Sequence, residues 1–316
     1  MILTIIIPLY NKKNYIITTL ESILNEITQE IEVIIIDDCS TDGSVEKVEK
    51  YMEKNFKDKN IKFLKNVKNI GVSATRNKGL DISSGEYVMF LDADDKLKQN
   101  FYREILPLLQ NKNLEMICLT REYSSLKKIE INYKEILPLE KIKISDSFYE
   151  VEDFKKVLDK KIFLGGSGEI ITQKKLIEKE RFNEKLSIME DYDFYFKVLK
   201  KIEKVYFYIK PVVIIEDIVD QSLSSKRIKF NEINNFFILE NSYLKENLKL
   251  LKRVFWILMY SNISRLNFGD RLKIIKKERK KIIKLLNFNQ YMIASFFMVM
   301  NLDLNKIRRK ILRWNI

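Results

Sequence analysis

A chain of 316 residues with 46% hydrophobic residues can bury one large core and a smaller one, and its 8 glycines and 4 prolines leave no flexible linker or low-complexity segment. Histidine is absent, which excludes imidazole as a base or metal ligand and leaves carboxylates for that chemistry. The net charge of +13 is uneven: residues 226–316 hold 21 Lys and Arg against 6 Asp and Glu, whereas residues 1–225 hold 36 against 38.

Residues 2–8 (ILTIIIP) form a short, nearly all-apolar run, as expected for a strand covered on both faces of a parallel sheet. Tyr10 and Asn11 follow, then a helical pattern through Tyr15, Ile16, Leu20, Ile23 and Leu24. Residues 31–36 predict a second buried strand, ending in the turn-rich Asp37-Asp38-Cys39-Ser40-Thr41-Asp42-Gly43-Ser44. A helix follows through Val45, Val48, Tyr51 and Met52. Residues 61–64 predict a third strand, and Asn69-Ile70-Gly71 opens another helix. Residues 87–91 (YVMFL) predict a fourth strand, with Asp92, Asp94 and Asp95 at its C-terminal tip. Strand, helix, strand in alternation implies βαβ units and a mostly parallel sheet, with the polar strand ends on one edge.

The acidic tip has two readings. Asp92 and Asp94 share parity along an extended chain and lie about 7 Å apart, a spacing that suits a magnesium or manganese ion also holding phosphate oxygens. The alternative is a solvated acidic loop that caps the next helix. Further on, residues 101–109 predict a helix and 116–119 a strand, before a charged stretch at 121–150 that reads as a mobile or acceptor-facing insertion. The glycine cluster Leu164-Gly165-Gly166-Ser167-Gly168-Glu169 is either a backbone passing close to a substrate or a plain turn before a strand at 169–172. Glu190 and Asp191 begin a helix through Phe194, Phe196, Val198 and Leu199. After the apolar residues 212–215, Gln221-Ser222-Leu223-Ser224-Ser225 is a polar loop followed by Lys226 and Arg227.

The basic C-terminal third reads as helices only. Residues 271–286 place Leu272, Ile275, Ile282, Ile283 and Leu286 near one face and cations around the other, a pattern that suits an anionic membrane surface. The alternative is a packed helical domain or a homodimer contact with solvated cations. No apolar run reaches the roughly 18–20 residues a spanning helix needs. The chain starts on a core strand without a leader, and Cys39 and Cys118 sit in unrelated segments, so a reducing cytoplasm is expected.

The N-terminal motifs resemble glycosyltransferase family 2, the inverting nucleotide-sugar transferases with the GT-A fold. The matching segments are Ile6-Ile7-Pro8-Leu9-Tyr10-Asn11, Asp37 to Ser44, Asn69-Ile70-Gly71 with Ala74-Thr75-Arg76-Asn77-Lys78-Gly79, Ser84-Gly85-Glu86-Tyr87 leading to Asp92-Ala93-Asp94-Asp95, and Met189-Glu190-Asp191-Tyr192-Asp193. They fall in the family's order over roughly residues 1–215, with Cys39 and Thr75 where glycine and alanine are more usual. The resemblance implies a GT-A domain over residues 1–225, and the charge and helical pattern set apart a basic helical domain over 226–316. It implies Asp94 as ligand of a divalent metal (Mn or Mg), with Asp92 serving the ribose or an ion-bound water. Asp95 would support the site from behind or cap a helix. Asp38 resembles the uracil-binding acid, and Pro8, Tyr10 and Asn11 would line the base, Tyr10 as a stacking ring. Arg76 would pair with diphosphate or be an ion-paired surface group. Asp191 looks like the general base, or else a helix cap, with Glu190 and Asp193 as alternatives. Gly166 and Ser222 are further candidates near the acceptor and the diphosphate.

The implied reaction takes a UDP-sugar (Gal, Glc, GalNAc or GlcNAc type) to a hydroxyl of a surface glycan or lipid-linked saccharide at the inner membrane face. A nucleotidyltransferase acting on sugar phosphates would want an early glycine-rich phosphate loop, which Pro8-Leu9-Tyr10-Asn11 lacks. A nucleic-acid binder acting through the tail would leave the acidic motifs without a role, so no nucleic acid partner is expected.

Overall fold

The computed structural model describes residues 1–24, 28–55, 60–111, 113–125, 129–130, 141–152, 166–186, 190–216 and 273. Ser222 and its loop, the basic tail apart from residue 273, and residues 126–128 and 131–140 of the charged insertion lie outside them. The chain divides into two compact units, Met1–Glu184 with Glu190–Val219, and Lys185–Met189 with Asp220–Ile316. The sheet and its flanking helices belong to the first unit.

Four strands, β1 (Leu3–Leu9), β2 (Ile31–Asp37), β3 (Ile61–Lys65) and β4 (Tyr87–Phe90), pair in parallel in the order β3-β2-β1-β4. Every residue of β1 and β2 is buried, which explains why they read as continuous apolar runs rather than alternating ones. Helices α1 (Ile16–Leu24), α2 (Ser44–Asn55) and α3 (Val72–Ile82) connect them. Parity sorts the side chains: Leu3, Ile5, Ile7, Val33, Ile35 and Met89 join α1 in one core, whereas Ile6 and Ile36 meet α3. A Cβ on Gly79 would lie 2.4 Å from Ile6 Cγ2, so the glycine of the Arg-Asn-Lys-Gly segment is there to let α3 close onto the sheet.

The described residues from Lys96 to Ile215 build the second half of the sheet. They comprise β5 (Lys96–Leu97), α4 (Phe101–Asn111), β6 (Met116–Tyr123), β7 (Ile129–Glu130), β8 (Ile142–Lys143), β9 (Phe148–Glu152), a 3₁₀ turn (Ser167–Glu169), β10 (Ile170–Gln173), α5 (Lys174–Ile177), α6 (Glu190–Leu199) and β11 (Lys204–Ile215). The order continues β4-β10-β6-β11-β9-β8, with β5 on β11 and β7 on β6. β10 runs antiparallel to both β4 and β6, and β11 runs parallel to β6 and antiparallel to β9. The expected α/β architecture with a mostly parallel sheet and flanking helices is what the chain forms. The strand expected at 116–119 extends to Tyr123, and residues 166–169 of the glycine cluster enter β10 through the 3₁₀ turn.

Register fixes the working edge. Leu9 pairs with Asp37, and Ile6 with Phe90, the last residue of β4. Asp92 to Asp95 therefore emerge level with the end of β1 and beside the Asp37-Asp38 turn. Pro8 comes two residues beyond the last β1–β4 pair, where its missing N–H breaks no ladder bond on that side.

Candidate active site

The loops after β1 and β2 are laced together by polar groups. Asn11, at φ 50°, donates its amide to Ser40 Oγ (2.9 Å), and its side-chain oxygen accepts the Thr41 amide (2.8 Å). Lys12 N–H donates to Ser44 Oγ (3.0 Å), and Lys13 N–H to Asp42 Oδ2 (2.9 Å). Burial raises the Asp42 carboxyl, but the Ser44 hydroxyl and the Lys13 and Ser44 amides outweigh it and hold it below its usual value. Asn11 therefore spends its side chain holding the loop, while Tyr10, 44% exposed, presents its ring at the mouth and Pro8 is buried.

The two aspartates after β2 have separate tasks. Asp37 accepts the Cys39 and Ser40 amides (3.0 and 3.1 Å) and shapes the turn, in which Cys39 sits at φ 65°. That left-handed backbone is the physical reason glycine is usual there. Asp38 is buried and accepts the amides of Ile70 and Gly71 (both 2.8 Å) and Asn66 Nδ2 (3.0 Å). Three of a carboxylate's roughly four lone-pair positions are thereby used, leaving one for a base N–H. Thr75, the other departure, is buried and accepts from Asn66 Nδ2 (3.3 Å).

The acidic tip is not a solvated loop. Asp95 is buried and its Oδ1 accepts the Glu216 amide (3.0 Å), tying the tip to the end of β11 rather than capping a helix. The Asp94 side chain is only 13% exposed and its Oδ2 accepts from Lys12 Nζ (2.6 Å). The Asp92 side chain is 46% exposed and its Oδ1 accepts from Arg76 Nη2 (2.9 Å). Burial, then the neighbouring Asp92 charge, push Asp94 above its usual value despite Lys12, and push Asp95 well above it. Carboxylates stacked this closely are short of positive charge, which is the condition a divalent cation relieves. Among the described residues no three acidic or cysteine side chains group closely enough to hold a metal ion on their own.

Arg76 is buried on α3, not a surface group. Its Nη1 donates to Glu190 Oε1 (2.8 Å), its Nη2 to Asp92, and its guanidinium lies 5.4 Å from the centre of the Phe182 ring. Burial opposes its charge, but Asp92, Glu190 and Asp191 restore it. Its ion pairs are with carboxylates, so in this structure it cross-links the acidic tip to the first turn of α6. Phe182 itself sits in an aromatic cluster with Phe90 and Phe194, at ring separations of 4.9 and 4.1 Å.

Asp191, in that first turn, accepts its own neighbour's amide, Tyr192 N–H (2.8 Å). Burial and the adjacent Glu190 push its carboxyl up to about 7, against the downward pull of Arg76 and the Tyr192 amide. A carboxyl poised there is matched to taking a proton at neutral pH. Of the alternatives, Glu190 is ion-paired with Arg76, and Asp193 is buried against Lys197 (2.7 Å) one turn on. Gly166 lies beside Asp191: a Cβ there would sit 3.8 Å from Asp191 Oδ2 and 3.6 Å from Glu169 Oε1. These are ordinary contact distances, so space does not demand a glycine. Gly168 likewise borders Asp95, and the 3₁₀ turn thereby runs between the acidic tip and the base candidate. Sequence reasoning missed Lys12, Glu216 and the pair of Arg121 with Glu169. Each contact joins segments at least 48 residues apart, and no local spacing signals it.

An acidic strand tip at the carboxyl edge of a β3-β2-β1-β4 sheet, facing a Glu-Asp pair on a helix, defines a GT-A fold. The chain belongs to glycosyltransferase family 2: the model of that family, glycosyl transferase family 2, matches residues 4–179, more than half of the chain. A cholesterol galactosyltransferase of Borreliella burgdorferi is 28% identical over 214 residues, covering 65% of this chain and 57% of that protein. Among solved structures, S. aureus TarS 1–349 in complex with UDP-GlcNAc superposes with a TM-score of 0.65 at 20% identity, over 98% of this chain and 85% of that one. The mannosyltransferase PcManGT of Pyrobaculum calidifontis, in complex with GDP-Man and Mn2+, superposes with a TM-score of 0.52 at 15% identity, over 94% of this chain and 86% of that one. At such identities the two structures speak to fold alone. The chain spans 32–57% of the length of the first three curated relatives it matches.

Proposed function

We propose that the protein is an inverting glycosyltransferase that moves a hexose from a UDP-sugar to a hydroxyl of a surface-glycan or lipid-linked saccharide acceptor. The catalytic domain is residues 1–225, and the basic residues 226–316 contact an anionic membrane surface at the inner face of the cell membrane. The observation that carries the reading is the Asp191 carboxyl, held at about 7 beside the acidic tip of β4. Relatives and neighbours support it: one is named for galactosyl transfer to a lipid, and others are solved with UDP-GlcNAc or with GDP-Man and Mn2+.

In this reading Asp38 accepts the N3–H of the uracil and the Tyr10 ring stacks on the base. Asp94 would hold a divalent ion beside the diphosphate, and Asp92 would face the ribose. The ion, when bound, supplies Lewis-acid stabilisation of the leaving diphosphate. Asp191 takes the proton of the acceptor hydroxyl. That oxygen attacks the anomeric carbon from the side opposite the diphosphate, the carbon–oxygen bond to the diphosphate breaks with its electron pair, and the configuration inverts. Arg76 keeps Asp92 and Glu190 in place and restrains the pKa of Asp191.

The test is transfer or hydrolysis from a panel of UDP-, GDP- and CMP-sugars, with manganese or with chelator, on wild type and Asp94→Ala. Release of UDP that needs metal and vanishes in the variant is the expected result. Folded protein that neither binds nor turns over any of the panel sinks the proposal.

A further inference from the structure

Lys12 has no role in any motif, yet it makes the direct contact to the proposed metal ligand. Its Nζ lies 2.6 Å from Asp94 Oδ2, with the two side chains 17% and 13% exposed. This is a partly desolvated pair, stronger than an exposed one. Its backbone is pinned: the amide donates to Ser44 Oγ, and the carbonyl accepts the Tyr15 and Ile16 amides, both at 2.9 Å. The ammonium is a point charge on a flexible four-carbon stem, set between Asp94 and the Tyr15 ring, 6.0 Å from the ring centre. Arg76, the other cation on the acidic tip, is by contrast held by two carboxylates, one on each side of its fork.

We infer that Lys12 is a stand-in cation: it neutralises Asp94 while the donor is absent, yields that carboxylate to the incoming divalent ion, and then pairs with the donor's diphosphate. The inference rests on the reading of Asp94 as metal ligand. An ion shared by Asp94 and the donor brings phosphate oxygens into the space beside Asp94, within reach of the displaced ammonium. Asp92 and Asp95 flank Asp94 in the same tip, so one ammonium meets several carboxylates and a doubly charged ion is the better partner. The consequence is coupling. Metal alone must displace the lysine with nothing offered in return, whereas metal with diphosphate gives the ammonium a new partner, so each ligand raises the affinity for the other by the same factor.

The experiment measures Mn2+ binding to the full chain by electron paramagnetic resonance without nucleotide, and UDP and uridine binding by calorimetry with Mn2+ present. The variants are Lys12→Gln, Lys12→Arg and Asp94→Asn. Lys12→Gln should bind Mn2+ alone about fivefold more tightly and UDP about tenfold more weakly, with uridine unchanged, the scale of one partly buried ion pair. Lys12→Arg, which keeps the charge, should stay within about twofold of wild type in Mn2+ binding. Mn2+ affinity in Lys12→Gln that is equal to or below wild type, or UDP affinity that is unchanged, overturns the inference. Asp94→Asn that binds Mn2+ as wild type does overturns instead the metal-ligand reading beneath it.

Discussion

The two halves of the sheet are built differently and place function differently. In β3-β2-β1-β4 every strand is parallel, and each delivers its polar end to one edge. The proposed nucleotide and metal residues Tyr10, Asp38, Asp92 and Asp94 sit at those ends or in the loops just after, each inside a short local motif. In β10-β6-β11-β9 the directions are mixed, and the groups near the base candidate come from scattered places: Glu169 from a 3₁₀ turn, Arg121 from β6, Asp191 from α6. The first half is a repeated unit read off in order, and the second is an assembly. Arg76 joins them, since it leaves α3 in the first half and pairs with Glu190 in the second.

Asp191→Asn tests the second half most severely. Transfer should fall about 10²- to 10⁴-fold, the usual contribution of a general base, measured as UDP release with acceptor present. The folded protein should not suffer. A carboxyl whose folded value of about 7 lies above its ordinary value of 3.8 favours the protonated native state, so its stabilising effect is complete below pH 3.8 and lost as pH rises through 7. Asp191→Asn should therefore unfold at higher temperature than wild type at pH 8, keep less than half of that advantage at pH 5, and lose it only below about pH 4. In wild type, activity should rise with pH through about 7.

Arg76→Met cuts the link between the halves. It leaves Glu190 and Asp92 without their cation, which should cost about 3 kcal/mol in urea unfolding. It also removes the charge that holds Asp191 down, so any residual activity should have its pH midpoint moved to the alkaline side of wild type. A midpoint that stays put would show that the two halves are electrostatically separate.

Two smaller changes probe the first half alone. Gly79→Ala sets a Cβ 2.4 Å from Ile6 Cγ2 and 3.3 Å from Ile36 Cδ1, and overpacking there should cost about 2 kcal/mol while leaving the pH profile of transfer unmoved. Cys39→Gly relieves the left-handed backbone at φ 65°. The relief exceeds the extra unfolded-state entropy of glycine, so stability should rise by up to about 1 kcal/mol, read as a higher urea midpoint.

By itself the sequence determined the period and the punctuation. Continuous apolar runs at 2–8 and 31–36 meant strands covered on both faces, and the Tyr10-Asn11 and Asp37–Ser44 segments after them meant loops on one sheet edge, because a βαβ chain has few other ways to bury such strands. The absence of histidine fixed carboxylates as the candidates for base and metal ligand. At Cys39, where glycine is usual, only the structure shows the left-handed backbone, at φ 65°, that gives glycine its reason. Tertiary structure alone decided what each polar group does. It gave Asp38 the Ile70 and Gly71 amides, took Asp95 to the Glu216 amide instead of a helix cap, buried Arg76 between two carboxylates, and set Lys12 on Asp94. Those pairings close over separations of 16 to 121 residues. A charge responds to its neighbours in space and to its loss of water, and neither is written in the spacing of residues along a chain.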